Sequence, residues 1–125
     1  MTEMEYSSNE KMLQGSILEN CYILSVCDDI EDSTLEAFCI NAVNSVHDDN
    51  LDGVIFNFNN VNVIDSYTVS LFINTTAMIA LLGAKVVWVG LNPGVISSIL
   101  DFDIDLDGIQ VGNNISHAID LINNN

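Results

Sequence analysis

The residue best placed for chemistry is Ser66, which follows Asp65 where a helix is expected to begin. A serine hydroxyl can act as a nucleophile or accept a phosphoryl group. Nothing supports a role of Ser66 as a catalytic nucleophile. It lacks a Gly-x-Ser-x-Gly elbow, and neither His47 nor His117 lies in a motif typical of a catalytic base. A phosphate in the first helical turn, by contrast, would meet free backbone N–H groups and the positive end of the helix dipole. The position also suits an ordinary helix-start serine without a function.

Two adjacent carboxylates offer a second kind of chemistry. Asp28 and Asp29 follow a predicted core strand, as the Mg²⁺-binding acids of receiver-type phosphoacceptor domains do. Such a domain also needs an aspartate at the end of the next core strand, where this chain has Phe58 and Asn59. A receiver-like, metal-dependent domain therefore remains only an alternative.

Other residues of types that can bind a metal are present, but they do not have the spacing of a metal site. Residues 103–108 begin like an EF-hand loop, but the twelfth position is Asn114 and not a bidentate glutamate. The three cysteines, Cys21, Cys27 and Cys39, show no zinc spacing with the histidines. Their odd number argues for reduced thiols, and Cys21 and Cys39 are expected in the core. We expect no metal and no cofactor.

The charge of the chain limits its partners. Eighteen acidic residues stand against two basic ones, Lys11 and Lys85, and give a formal net charge of −16. Such a surface repels phosphate backbones, so nucleic acid and anionic membranes are not expected partners. It suits a basic partner, and it also serves plain solubility. With no signal peptide and no apolar run of spanning length, the chain is expected to be soluble and cytoplasmic.

Hydrophobic patterning predicts one α/β domain over residues 13–123 after a flexible N-terminal tail, residues 1–12. The expected strands lie near 14–18, 21–26, 53–58, 84–89 and 109–111, and the expected helices cover 34–47, 66–82, 93–100 and a final segment from about 115. Helix 34–47 should begin at a capping box, Ser33 to Glu36, and helix 93–100 at the cap Asn92, with Pro93 in the first helical position. Strands that alternate with helices predict a mixed, mostly parallel sheet of about four or five strands with about four helices.

The helix that begins at Ser66 is unusual because residues 66–84 contain no charged side chain. One apolar stripe should face the sheet: Val69, Phe72, Ile73, Thr76, Ala77 and Ala80. A second face is predicted to be a partner interface: Tyr67, Leu71, Thr75, Met78 and Leu82. The alternative for this second face is burial under helix 93–100.

Several of these segments together resemble a known family. They are Val63 to Tyr67, the uncharged helix, Gly83 to Val87, and Val89 to Pro93. The combination is similar to a STAS domain and, more narrowly, to the RsbS-type antagonists of the bacterial stressosome. The resemblance covers roughly residues 10–122.

The resemblance implies a protein without catalytic activity. Proteins of this type self-associate into a large scaffold with an RsbR-type paralogue that carries a sensor domain. The scaffold sequesters a switch serine kinase, is phosphorylated on the serine that corresponds to Ser66, releases the kinase, and is reset by a phosphatase. Asp65 would be the helix cap that supports this phosphosite, and Ser97 or Ser98 would be candidates for a second one. A simple dimeric anti-sigma-factor antagonist is the alternative.

Overall fold

The computed structural model describes residues 15–124, in which five strands alternate with four helices. The strands are β1 (Gly15–Leu18), β2 (Cys21–Cys27), β3 (Gly53–Asn60), β4 (Lys85–Val89) and β5 (Gln110–Gly112). The helices are α1 (Asp32–Asp49), α2 (Ser66–Leu81), α3 (Pro93–Asp101) and α4 (Ile115–Asn123). The predicted tail, residues 1–12, lies outside the described residues.

The five strands form one sheet in the order of the chain, β1-β2-β3-β4-β5. β1 and β2 are antiparallel, because only Glu19 and Asn20 connect them and both adopt the positive φ angles that a two-residue hairpin turn requires. The other neighbouring strands are parallel, and a helix lies in the connection between each pair of them. In the connection between β4 and β5, a loop follows α3. The predicted mixed, mostly parallel α/β sheet is confirmed.

The helices cover both faces of the sheet. Helices α1, α2 and α3 pack over one face, where they form the larger apolar core. Helix α4 covers the other face with Ala118, Ile119 and Ile122, which pack against Cys21 and other residues of β2, β3 and β4. Cys21 and Cys39 are buried free thiols, one in each core, as predicted.

Helix α2 is seated on an aromatic cluster. The ring of Phe72 lies 4.8 Å from that of Phe56 and 5.2 Å from that of Phe58, and both contacts are edge-to-face. Trp88 completes the cluster, and its indole Nε1 donates a hydrogen bond of 3.1 Å to the hydroxyl of Thr76. Because these side chains are essentially inaccessible to solvent, they fix the position of α2 over β3 and β4.

Two local predictions about the helices were wrong. Helix α1 begins at Asp32 with Glu31 at the N-cap, so Ser33 does not cap it and no capping box forms. The predicted sheet-facing stripe of α2 is wrong at Ala77 and Ala80, which are exposed. Its other members agree with the prediction: Val69 and Phe72 are buried, Ile73 packs against the core and Thr76 bonds Trp88. Thr75 and Ile79 are buried in addition.

Smaller differences concern the ends of elements. β3 continues to Asn60, two residues beyond the predicted strand and into the segment expected to be a loop. Helix α3, with Asn92 as its cap and Pro93 in its first turn, agrees with the sequence prediction. No helix within residues 15–124 is long and apolar enough to cross a membrane.

The Trp88–Thr76 hydrogen bond should contribute measurably to stability. In Thr76→Val the shape is retained but the buried indole N–H loses its acceptor, so we expect a loss of about 1–3 kcal/mol in the free energy of unfolding. Urea unfolding followed by the fluorescence of Trp88, the single tryptophan, measures it. Thr75→Val is the comparison, because both hydroxyls donate to the carbonyl four residues earlier, but Thr75 also bonds the thiol of Cys39, a weaker partner than the indole N–H that Thr76 accepts. Equal losses in the two variants would contradict the prediction.

Candidate functional site

The segment between β3 and α2, residues 61–65, places Ser66 at the carboxyl edge of the sheet. Two of its side chains, Val61 and Ile64, are buried in the larger core and anchor it from below. Between and beside them, Val63 is 78% exposed and Ser66 itself is exposed. The segment therefore combines two buried side chains, which hold it on the core, with side chains that are exposed to solvent.

The carboxylate of Asp28 holds this segment from the β2 side. It accepts hydrogen bonds from the backbone N–H of Asn62 at 3.1 Å and from that of Val63 at 3.2 Å. The side-chain amide of Asn62 donates to the same carboxylate at 3.2 Å. Asp28 thus acts as a clamp across the sheet edge.

A second clamp comes from the β4 side. The side-chain amide of Asn92 donates to the carbonyl oxygen of Val61 at 3.1 Å, while its oxygen caps α3 by accepting from the N–H of Val95 at 2.9 Å. Gly90 permits this approach: its φ is +81°, and a Cβ at this position would lie 2.6 Å from the backbone nitrogen of Asn59. The segment before Ser66 is therefore held from both sides.

Asp65 is the N-cap of α2, as predicted. Its carboxylate accepts a hydrogen bond of 2.8 Å from the N–H of Thr68, and its carbonyl accepts from the N–H of Val69 at 3.1 Å. The hydrogen bond from Thr68 lowers the pKa of Asp65 below its ordinary value. Ser66 is consequently the first residue of a capped helix, with its own N–H and that of Tyr67 lacking helical acceptors.

Tyr67 connects the start of α2 to α1. Its phenol donates a hydrogen bond to a carboxylate oxygen of Glu36. This bond, with smaller contributions from desolvation and from the charges of Glu36 and Asp32, raises the pKa of Tyr67 to about 12. The phenol therefore remains a protonated donor throughout the neutral range.

The surroundings of Ser66 are strongly acidic. A cleft of about 440 Å³ beside α2 is lined by the carboxylates of Asp28, Asp29, Asp32 and Asp65 over an apolar floor. Lys85, the single basic residue of 15–124 other than the histidines, begins β4 at the opposite edge of the sheet. Residues 15–124 contain no group of three His, Cys, Asp or Glu side chains arranged to hold a metal ion.

The five predicted interface residues do not form one continuous exposed face. Met78, Leu82 and Tyr67 are 48%, 44% and 41% exposed, and Leu71 is partly buried. Thr75 is 3% exposed and its hydroxyl bonds the carbonyl of Leu71, so it contributes little surface. The neighbour of α2 is α1, which shares many contacts with it, and not helix 93–100 as the alternative supposed.

The candidates for a second phosphosite differ in their surroundings. Ser97 is exposed on α3. Ser98 is half-buried, and its hydroxyl donates to the carbonyl of Gly94 at 3.1 Å.

Sequence reasoning missed the two clamps. Asp28 was considered only as a metal ligand and Asn92 only as a helix cap. A signal was available in each case, because both residues follow parallel strands and the carboxyl ends of such strands meet at one edge. The partner of each clamp is a backbone group some 30 residues away along the chain, which no local pattern identifies.

Comparisons with known proteins establish the fold. No protein-family model matches the sequence, and no curated protein matches it significantly. Solved structures do match. RsbS of Moorella thermoacetica, with a serine replaced by glutamate, has a TM-score of 0.79 at 17% identity, with 90% of this chain and 95% of that one covered.

Two further structures match over nearly their whole length. A chain from the stressosome, described as a signal integration and transduction hub, has a TM-score of 0.76 at 18% identity, with 88% and 96% covered. SpoIIAA, a Bacillus cell fate determinant in its phosphorylated form, has a TM-score of 0.66 at 13% identity, with 88% and 98% covered. The chain therefore has the fold of a single STAS-type domain, and the fold expected from the resemblance is confirmed.

The Asp28 clamp should control the mobility of the segment before Ser66. In Asp28→Asn the neutral amide offers one acceptor oxygen where the carboxylate offers two, so we expect the N–H groups of Asn62 and Val63 to exchange with solvent about tenfold faster or more. Hydrogen exchange measured by NMR reports both amides. Asp29→Asn is the matched control, because it removes the same charge from the adjacent residue. Unchanged exchange in Asp28→Asn would exclude the clamp.

The Asp65 cap should stabilise the protein in a pH-dependent way. Because folding lowers the pKa of this carboxyl, its contribution is present above the ordinary value of 3.8 and is lost as the pH falls through the lowered folded value. Asp65→Ala should cost about 1 kcal/mol in the free energy of unfolding at neutral pH. The cost should shrink at a pH below this lowered folded-state pKa, where the carboxyl is protonated.

Urea unfolding at the two pH values checks this, with Asp65→Asn as a control that keeps a capping oxygen. A cost that is the same at both pH values would show that the carboxylate is not the source.

Proposed function

We propose that this chain is a non-enzymatic antagonist module of the stressosome and anti-sigma-factor type, and that Ser66 is its phosphorylated residue. The observation that carries the proposal is the exposed position of Ser66 as the first residue of a capped helix, on a segment clamped by Asp28 and Asn92. Support comes from the shared fold, since one structural neighbour carries glutamate in place of a serine and another was solved in a phosphorylated form.

The geometry tolerates a phosphate at this position. The helix already has its cap, so the N–H groups of Thr68 and Val69 are occupied by Asp65 and the helix start does not depend on the hydroxyl of Ser66. The free N–H groups of Ser66 and Tyr67 and the helix dipole favour an anion there. Phosphorylation would leave the domain folded.

The phosphate would instead change the surface. It adds about 1.5–2 negative charges at pH 7 beside an edge that already carries Asp28, Asp29, Asp32 and Asp65. The nearest basic side chain within 15–124, Lys85, lies at the other edge of the sheet and cannot neutralise it. A partner packed over Ser66 would therefore meet an unbalanced dianion and be released.

The proposed partners are the proteins that such a phosphorylation switch requires. The unphosphorylated chain sequesters a switch serine kinase, phosphorylation of Ser66 releases it, and a phosphatase restores the first state. An RsbR-type paralogue with a sensor domain would complete a large cytoplasmic scaffold. A simple dimeric antagonist is the second candidate, and the likeness to SpoIIAA, which is described as an anti-sigma factor antagonist, supports the antagonist role.

The histidines support a role without catalysis. His47 is exposed in the last turn of α1, where it contacts Asp48, and His117 accepts a hydrogen bond from the backbone N–H of Asn113. His47 lies at the end of α1 away from the β2–α1 loop, and His117 lies on α4, which packs on the other face of the sheet. Neither is placed as a base for Ser66.

A second phosphorylation, if the chain undergoes one, is assigned to Ser97. Its exposed position makes the hydroxyl accessible to a kinase. Ser98 would first have to give up its hydrogen bond to Gly94.

The central test is the site of phosphorylation. After incubation with the cognate switch kinase and ATP, mass spectrometry should place phosphate on Ser66, and Ser66→Ala should remove it. Ser66→Asp should weaken capture of the kinase while the thermal melt changes by no more than a few degrees, because an acidic residue is favourable in the first turn. Ser70, exposed one turn later on the same helix, supplies the matched control Ser70→Ala. Labelling that persists in Ser66→Ala would refute the proposal.

The size of the assembly separates the two candidates. Co-expression with the sensor-bearing paralogue followed by size-exclusion chromatography should give a particle far larger than a dimer. A dimer under the same conditions would favour the simple antagonist, and it would leave the assignment of Ser66 untouched.

A further inference from the structure

An apolar groove lies between α1 and α2, on the side of these helices away from the sheet. It has a volume of about 240 Å³, and its lining is almost entirely apolar. Its walls include Cys39, Ile40 and Val43 from α1 and Leu71 and Met78 from α2, and Glu36 stands at the end nearest Ser66.

Two apolar side chains that line the groove are about half exposed to solvent. Ile40 is 56% exposed and Met78 is 48% exposed, and they face each other from the two helices across the groove. Burying two such side chains is favourable by an amount comparable to a typical interface anchor. The groove is therefore lined by apolar side chains of both helices, and not by α2 alone.

Charge identifies the occupant. Neither α1 nor α2 contains a lysine or arginine, whereas α1 carries Asp32 and Glu36 near one end of the groove and Asp48 and Asp49 near the other. An apolar groove with acidic ends complements an amphipathic segment with apolar anchors and basic flanks. Because two neighbouring helices offer ridges and grooves for a third, a helix is the form that fits.

The same charges argue against two other occupants of the groove, a second copy of this chain and its own residues 1–14. A second copy would bring another chain of net charge −16 to this surface. The segment of residues 1–14 carries Glu3, Glu5 and Glu10 against the single Lys11. Each would place acid against acid at the ends of the groove.

We propose that the α1–α2 groove binds a basic amphipathic helix of another protein, with Ile40 and Met78 as the main apolar contacts and Glu36 as a charge contact. This inference does not rest on the proposed role of Ser66. Ser66→Ala should bind such a helix as the unmodified chain does, so a failure of one proposal leaves the other standing.

The test uses two fluorescently labelled helical peptides with the full chain. Both carry the same apolar residues at positions i, i+3, i+4 and i+7, and the polar positions are lysine in one peptide and glutamate in the other. Fluorescence anisotropy should show saturable binding of the lysine peptide that weakens as salt is added, and no binding of the glutamate peptide.

Variants locate the site. Ile40→Lys and Met78→Lys should each reduce the affinity about tenfold or more, because an apolar anchor is lost and a like charge is introduced. Leu81→Lys is the matched control: Leu81 is 88% exposed on the same helix, does not line the groove, and receives the same charge. Glu36→Gln should weaken binding more than Glu31→Gln, which removes a charge from the start of the same helix. Thermal melts confirm that each variant is folded.

Three results would overturn the proposal. They are the absence of saturable binding by the lysine peptide, equal binding of the two peptides, and an equal loss of affinity in Leu81→Lys and Met78→Lys. Sedimentation velocity adds a fourth: self-association that Met78→Lys abolishes would identify a second copy as the occupant.

Discussion

The carboxylate of Asp28 is the interaction on which the arrangement at the sheet edge depends. It joins the end of β2 to two consecutive backbone N–H groups in the segment after β3, and Asn92 joins the start of α3 to the same segment from the other side. Three parallel strands thereby share one rigid edge, and the helix that follows starts from a defined point. Without this clamp, the backbone N–H groups of the connection before Ser66 would bond to water, and the position of Ser66 would be less well defined.

The acidity of the chain acts on the same edge. Because the single basic residue of 15–124 outside the histidines lies at the opposite edge, the carboxylates around Ser66 have no nearby lysine or arginine within these residues to neutralise them. Backbone amides bind the carboxylates of Asp28 and Asp65, the phenol of Tyr67 binds that of Glu36, and these bonds hold elements together. Acidic residues here therefore do two things: they build the local structure and they set the charge of the partner that can approach.

Patterning predicted most of the fold because strands and helices bury continuous or periodic apolar runs. The order of elements, the cap at Asp65 and the cap at Asn92 all follow from such local rules. The exact buried face of α2 does not, because a helix without any charged residue has no polar face to mark the solvent side, and Ile79 is buried where Ala80 is the predicted position. The predicted capping box is wrong because the helix begins at Asp32, two residues before the predicted start, so Glu31 and not Ser33 is its N-cap.

The proposed phosphosite and the proposed groove lie on one helix, and charge relates them. A phosphate on Ser66 leaves the packing of α2 on Phe56, Phe58 and Trp88 unaltered, since that contact is made on the opposite side of the helix from solvent. What it changes is the negative potential at the start of α2, beside the Tyr67–Glu36 hydrogen bond at the head of the groove. Under the two proposals, a partner that covers Ser66 with acidic surface would be repelled, and one that covers it with apolar surface would have to desolvate the phosphate. A basic helix along α1 and α2 would meet neither cost, so the same modification would release one partner and retain the other.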